Sequence, residues 1–232
     1  DGTTDTAANP QHLFNALGIY DITLTATSDF GCVDEQVKNI TVHPVPTANF
    51  TFEDACEESA VAFTNLSTIS AGNLAYDWQF SDGFSTQDQN PDHVFPSFGE
   101  YGIQLAVESN FGCTDTLIDS VQIHALPDVA FTAEAVCFGE ATVFENNSDS
   151  PDSSNLVSWF WNFSDGEVSF VSEPIHLYDN PGAYSVLLEV ESNEGCVDSI
   201  IETVVVNELP DPTINPQGPT SFCDGDSVEL SA

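Results

Sequence analysis

Trp78-Gln79-Phe80-Ser81-Asp82-Gly83 and Trp161-Asn162-Phe163-Ser164-Asp165-Gly166 are two copies of one motif, and its tail occurs a third time as Asp1-Gly2. The three Asp lie 81 and 83 positions apart. A fixed period of that length means tandem domains built on one plan. Trp and Phe two residues apart point to the same side of a strand. Ser-Asp-Gly directly after them is turn chemistry: the Asp side chain bonds nearby backbone, and Gly tolerates positive φ. The stretch therefore reads as a central core strand running into a tight turn.

Other features keep the same period. Tyr20-Asp-Ile22-Thr-Leu24, Tyr101-Gly-Ile103-Gln-Leu105 and Tyr184-Ser-Val186-Leu-Leu188 alternate apolar and polar, as half-buried strands do. His12, His93 and His176 fall in register, as do Gly31-Cys32, Gly112-Cys113 and Gly195-Cys196. His43-Pro44-Val45-Pro46, His124-Ala125-Leu126-Pro127 and Asn207-Glu208-Leu209-Pro210 are short stiff linkers that leave neighbours little room to tumble. No helical period is long enough to trust. About seven short strands per repeat, with turn signals between them, predict all-β, Greek-key sandwiches.

The expected domains are residues 1–43, the second half of a repeat; 44–126 and 127–209, two complete repeats; and 210–232, the start of a further β domain. Half a sandwich cannot close its own core, so the chain is expected to be an excerpt of a longer protein or to be completed by a neighbour. The loop Asn146–Asn155 is longer than its counterpart Leu66–Asn73, and is the place expected to carry something specific to its copy.

Composition narrows the partners. The chain has 38 acidic residues against one basic residue, Lys38, for a formal charge of −37. Phosphate needs cationic donors, so nucleic acid and anionic lipid are excluded as partners. No apolar run approaches the roughly 18 residues that span a membrane, so no membrane insertion is expected.

The cysteines form two sets in register: Cys32, Cys113 and Cys196, then Cys56 and Cys137, with Cys223 beginning a further one. One disulfide per domain is expected, Cys56–Cys113 and Cys137–Cys196. Each would close a loop of 57 or 59 residues, adding roughly 3–4 kcal/mol. Such bridges imply an oxidising, extracytoplasmic setting. No CxxC pair signals zinc.

With these residues in view, the chain resembles the PKD (polycystic kidney disease) domain family. The Trp-x-Phe-Ser-Asp-Gly motif is similar to the family's Trp-Asp-Phe-Gly-Asp-Gly, with Ser81 and Ser164 in place of its first Gly. Asn90-Pro91-Asp92-His93-Val94-Phe95, Glu173-Pro174-Ile175-His176-Leu177-Tyr178, Gly99-Glu100-Tyr101 and Pro181-Gly182-Ala183-Tyr184 follow in family order, over residues 1–206. The resemblance implies immunoglobulin-like β-sandwiches acting as spacers and as protein or carbohydrate interaction modules. The cysteines and the Gly-Cys endings look like PKD repeats of large secreted Bacteroidota proteins, among them gliding-motility adhesins exported by type IX secretion. The tail from Asp211 looks like the start of an immunoglobulin-like module.

Several residues invite chemistry. Asp82 and Asp165 are candidate Ca²⁺ ligands, because carboxylates suit hard cations; the alternative is a turn-forming Asp. Apart from Ca²⁺ at those turns, no cofactor is expected. The in-register histidines read as rings capping the backbone at a strand edge. Phe84, Phe98, Phe111 and Phe170 either stack on sugars or plug the ends of each sandwich. Thr6, Thr116, Ser120, Ser199 and Ser227 each follow Asp and precede an apolar residue, which resembles the Bacteroidota O-glycosylation signal. No nucleophile–base–acid set and no phosphate loop stand out, so no enzyme activity is expected. The function expected is a non-catalytic structural and adhesive segment, semi-rigid, extracellular or on the cell surface. Its partners would be neighbouring repeats and a surface polysaccharide or protein. The alternative is an accessory substrate-binding module of a secreted polysaccharide- or protein-degrading enzyme.

Overall fold

The computed structural model describes residues 1–216 and, beyond them, residues 221, 224, 227, 230 and 231. Every regular element among them is a strand. The chain divides into two compact units, Asp1–His124 and Ala125–Ala232.

The first unit opens with a hairpin, β1 (Gly18–Thr27) and β2 (Val33–Val42), paired antiparallel from Gly18↔Val42 to Thr27↔Val33. A complete sandwich follows: β3 (Phe50–Thr51), β4 (Ala55–Cys56), β5 (Ala60–Ala62), β6 (Thr64–Asn65), β7 (Leu74–Phe80), β8 (Ser85–Thr86), β9 (Asp92–Val94), β10 (Gly99–Ser109) and β11 (Thr114–His124). The larger sheet runs β4-β11-β10-β7-β8, and the pairs β3-β6 and β5-β9 make up the rest. The alternation read from the sequence sets the register. Leu105 faces Trp78 and Val107 faces Tyr76 across β10 and β7. That turns Trp78, Ile103, Leu105 and Val107 inward, each at most 1 % exposed.

The second unit repeats the plan with β12 (Phe131–Ala133), β13 (Val136–Cys137), β14 (Thr142–Asn146), β15 (Leu156–Asn162), β16 (Val168–Ser169), β17 (Ile175–His176), β18 (Gly182–Ser192) and β19 (Val197–Asn207). Its sheets run β13-β19-β18-β15-β16 and β12-β14-β17. Beyond them, β20 (Asn215–Pro216) pairs with β21 (Leu230–Ser231). The short strands β4, β8, β13 and β16 escape a reading by periodicity, because two residues show no alternation.

Each core is an aromatic cluster around the motif Trp. Phe50 and Phe63 lie 5.1 and 5.7 Å from the Trp78 ring; Phe131 and Phe144 lie 5.1 and 5.3 Å from Trp161. Burying one such side chain contributes roughly 1.5–3 kcal/mol. The copies differ in detail: the position of Phe52 holds Ala133, and that of Phe95 holds Tyr178.

The β1–β2 hairpin lacks such a core. Leu24 is 66 % exposed, whereas Leu105, its counterpart one period on, is fully buried. Ile22, Val37 and Ile40 are exposed as well. The hairpin shows the second half of a repeat with its apolar face uncovered.

Candidate functional site

The in-register Asp and His read separately from the sequence prove to be partners. Asp82 follows β7 on a turn whose Gly83 has φ +96°, a conformation Gly adopts without strain. Its Oδ1 accepts the Phe84 amide at 3.0 Å, and its Oδ2 lies 2.6 Å from His93 Nε2. Asp165 repeats this with the Glu167 amide at 3.0 Å and His176 Nε2 at 2.7 Å. Asp1 does so with Thr3 and with His12 Nε2 at 2.5 Å. Each pair is separated by 11 residues, a constant spacing that could have exposed the pairing in the sequence.

The imidazoles also stack. His176 lies 4.1 Å from Phe163 at an interplanar angle of 5°, and His93 lies 4.3 Å from Phe84 at 4°. Phe84 thus covers its repeat's histidine, as a plug would. Burial acts to raise the Asp165 pKa, but the Glu167 amide and His176 outweigh it, and the carboxyl titrates below its ordinary value. The turn is a lock in which both carboxylate oxygens of Asp82 and Asp165 already accept the chain's own donors. Among the described residues no three His, Cys, Asp or Glu gather where a metal ion would be held.

Two further bonds recur. Trp78 Nε1 donates to the Asp88 carbonyl and Trp161 Nε1 to the Val171 carbonyl, both at 3.0 Å. Tyr20, Tyr101 and Tyr184 each donate their hydroxyl to a carbonyl four residues upstream, on Ala16, Ser97 and Asn180. This is the tyrosine corner of immunoglobulin-like sandwiches. The Gly-x-Tyr spacing marked each tyrosine without revealing its role.

The disulfides expected within each repeat are not formed. Cys113 and Cys137 are free thiols, while Cys56 and Cys196 are disulfide-bonded. Register explains why Cys56–Cys113 and Cys137–Cys196 fail. Cys56 lies beside His124, at the end of β11, and Cys113 immediately precedes Thr114, at its start. Cys137 lies beside Asn207 at the end of β19, and Cys196 precedes Val197 at its start. Cys223 lies outside the described residues.

The long loop Asn146–Asn155 is organised by Asp152, which accepts the Ser150 hydroxyl and the Ser154 amide, and also the Ala125 amide. Burial opposes its ionisation, but these donors prevail and hold its carboxyl well below the usual range. Thr6, Thr116, Ser120, Ser199 and Ser227 are all exposed, and Ser120 donates its hydroxyl to Glu100.

The second unit differs from its counterpart in its exposed apolar residues. Phe170, Val171 and Ile175 are 69, 57 and 70 % exposed, and Val143 and Val168 are exposed too. One period earlier these positions hold Gln87, Asp88, Asp92, Ala62 and Ser85. Val143 and Ile175 face each other across β14 and β17. Phe170 leans on Phe160 at 5.6 Å, and Phe160 itself stands where the first sandwich has Asp77.

The PKD domain family profile matches residues 1–42, 43–123 and 124–207. The chain belongs to the PKD domain family. Among similar proteins, a microbial collagenase of Vibrio alginolyticus is 34 % identical over 87 residues, 37 % of this chain and 11 % of that protein. Pre-pro-metalloprotease PrtV of Vibrio cholerae is 34 % identical over 77 residues, 32 % of this chain and 8 % of that protein. The chain thus spans about a tenth of these relatives. Among solved structures, the PKD1 domain of Vibrio anguillarum Epp is 26 % identical, with 38 % of this chain and 99 % of that one covered at a TM-score of 0.35. The PKD repeats here are similar to those modules. Among the described residues no helix is long and apolar enough to cross a membrane.

Proposed function

We propose that this chain is a non-catalytic structural and adhesive segment of a large extracellular or cell-surface protein, its PKD repeats serving as spacers and as modules that contact protein or carbohydrate. A gliding-type adhesin exported by type IX secretion is the protein class that the sequence resembles. One observation carries the reading: positions that are polar or small in the first sandwich are exposed and apolar in the second. The shared framework of Trp, Asp–His lock and tyrosine corner does not need those residues, since the first sandwich is built without them. A contact surface on this repeat accounts for them.

The second reading is an accessory module of a secreted protease. The collagenase and metalloprotease among the relatives favour it. Sedimentation with insoluble collagen, with insoluble polysaccharides and with whole bacterial cells separates the two. The adhesive reading expects retention on cells or polysaccharide that Phe170→Gln with Ile175→Asp lowers at least tenfold. Retention on collagen alone would favour the accessory module, and no retention on any support would sink the contact surface.

A further inference from the structure

We propose that the open edge of β17 docks an extended segment of another protein, one whose side chains alternate apolar and basic. β17 ends its sheet, in the order β12-β14-β17, and among the described residues no strand pairs with its other side. The Phe144 amide bonds the Pro174 carbonyl at 3.1 Å. In an antiparallel ladder such bonded pairs alternate with non-bonded ones. Thr142↔His176 and Val143↔Ile175 are in register, so Thr142 and His176 make the next bonded pair and Ile175 falls between. The N–H and C=O of Ile175 therefore turn away from β14, along the open edge. They offer an incoming strand the two bonds that begin a ladder.

The side chains of this stretch alternate as well. Pro174, His176 and Tyr178 are buried, while Glu173, Ile175, Leu177 and Asp179 are exposed. Ile175 and Leu177 are 70 and 55 % exposed, and Val143, directly across from Ile175, is 53 % exposed. Glu145, two residues on from Val143, is exposed too. The outer face thus carries apolar residues with a carboxylate before and after them along the strand. The first sandwich blunts the same edge: Asp92 stands where Ile175 does, and a charge on an edge strand discourages pairing. The second sandwich has exchanged that charge for an apolar side chain. The carboxylates that remain favour Lys or Arg on the incoming strand and repel acidic ones. These 232 residues contain no such strand, since Lys38 is their one base against 38 acidic residues. The occupant is therefore not a second copy of this chain.

This partner class rests on the reading of these residues as a contact surface. The test follows the fluorescence anisotropy of a labelled peptide of alternating valine and lysine, titrated with the whole 232-residue chain at physiological ionic strength, where surface charge is largely screened. The result expected is saturable binding that weakens at least about tenfold with Ile175→Asp. N-methylation of the peptide's backbone amides, which removes its donors and keeps its charges, should weaken binding about as much. Ile175→Asp makes the chain more acidic, so attraction by charge alone would strengthen binding instead. The N-methylated peptide leaves the protein unchanged, so folding cannot confound it. Undiminished binding in either arm overturns the proposal, and so does a peptide that fails to bind. If the peptide fails while Phe170→Gln with Ile175→Asp still lowers retention on cells or polysaccharide, the contact surface stands and the peptide class alone falls. A neutral glucan hexasaccharide that binds in the peptide's stead, and is weakened by Ile175→Asp, assigns the face to carbohydrate and likewise overturns the proposal.

Discussion

His176 Nε2 lies 2.7 Å from Asp165 Oδ2, while the ring it belongs to is nearly parallel to Phe163. One buried imidazole thus ties the turn after the core strand to β17. The Asp165 carboxyl titrates below its ordinary value, so its folded pKa is depressed relative to the unfolded chain. Its contribution to stability is complete above the unfolded carboxylate pKa, about 4, and is lost as pH falls through the lower folded value. Urea unfolding followed by Trp fluorescence between pH 5 and pH 2.5 should show the second sandwich losing stability with acid. Asp165→Asn should be less stable at pH 5 and should flatten that dependence. An unchanged slope in the variant would mean the pair does not govern it.

Ser81 and Ser164 are the same residue at the same motif position but do different things. Ser164 sits at φ +67°, where a residue with a Cβ is strained; Ser81 has no such φ, and its Oγ accepts the Gly102 amide at 3.0 Å. Ser164→Gly should therefore raise the stability of its sandwich by about 1 kcal/mol. Ser81→Gly should lower that of its own by a similar ~1 kcal/mol. Thermal unfolding of the two variants side by side checks the opposite signs.

Two tyrosines six residues apart should respond oppositely to one substitution. The Tyr178 hydroxyl is buried without a hydrogen-bond partner, and the equivalent residue in the first sandwich is Phe95. Tyr178→Phe should leave stability equal or higher by about 1 kcal/mol, since an unsatisfied buried hydroxyl costs 1–3 kcal/mol. Tyr184 donates to the Asn180 carbonyl at 2.7 Å. Tyr184→Phe should cost about 1 kcal/mol by losing that bond. Urea midpoints of the two variants decide.

Phe170→Gln with Ile175→Asp installs side chains that the first sandwich already carries at the same positions. The fold should tolerate them, with an unfolding midpoint within about 0.5 kcal/mol of the parent. Circular dichroism and thermal melts check this, and the result is the control that any loss of binding needs.

The repeat, the all-β fold and the core positions were legible because they are periodic. Trp78 and Trp161 sit at zero exposure, and the strands from Tyr101 and Tyr184 alternate as written, whereas the strand from Tyr20 is exposed at every residue but Tyr20 itself. The Asp–His lock was half legible: each residue was in register at a constant separation of 11 residues, but the contact itself is made by the fold, which brings the turn after β7 against β9. The disulfide topology was misjudged because register in sequence says which cysteines are equivalent, not where along a strand each one lies. Cys56 sits in a two-residue strand, β4, parallel to β11, and no sequence periodicity reports a strand that short. The exposed apolar residues were hidden for the opposite reason. Val143 and Ile175 look like core residues until the strand partners show which face they occupy.

The two aromatic cores share a plan but not their pieces. Ala133 stands where the first has Phe52, and Tyr178 where it has Phe95. Tandem copies of a single sandwich are prone to exchange strands with a neighbour during folding. Here a strand that strayed would arrive with the wrong volume: a methyl in place of a ring on one side, a hydroxyl thrust into a slot made for Phe on the other. Divergence inside the cores thus acts as an identity check, letting adjacent copies of one fold mature side by side without trading parts.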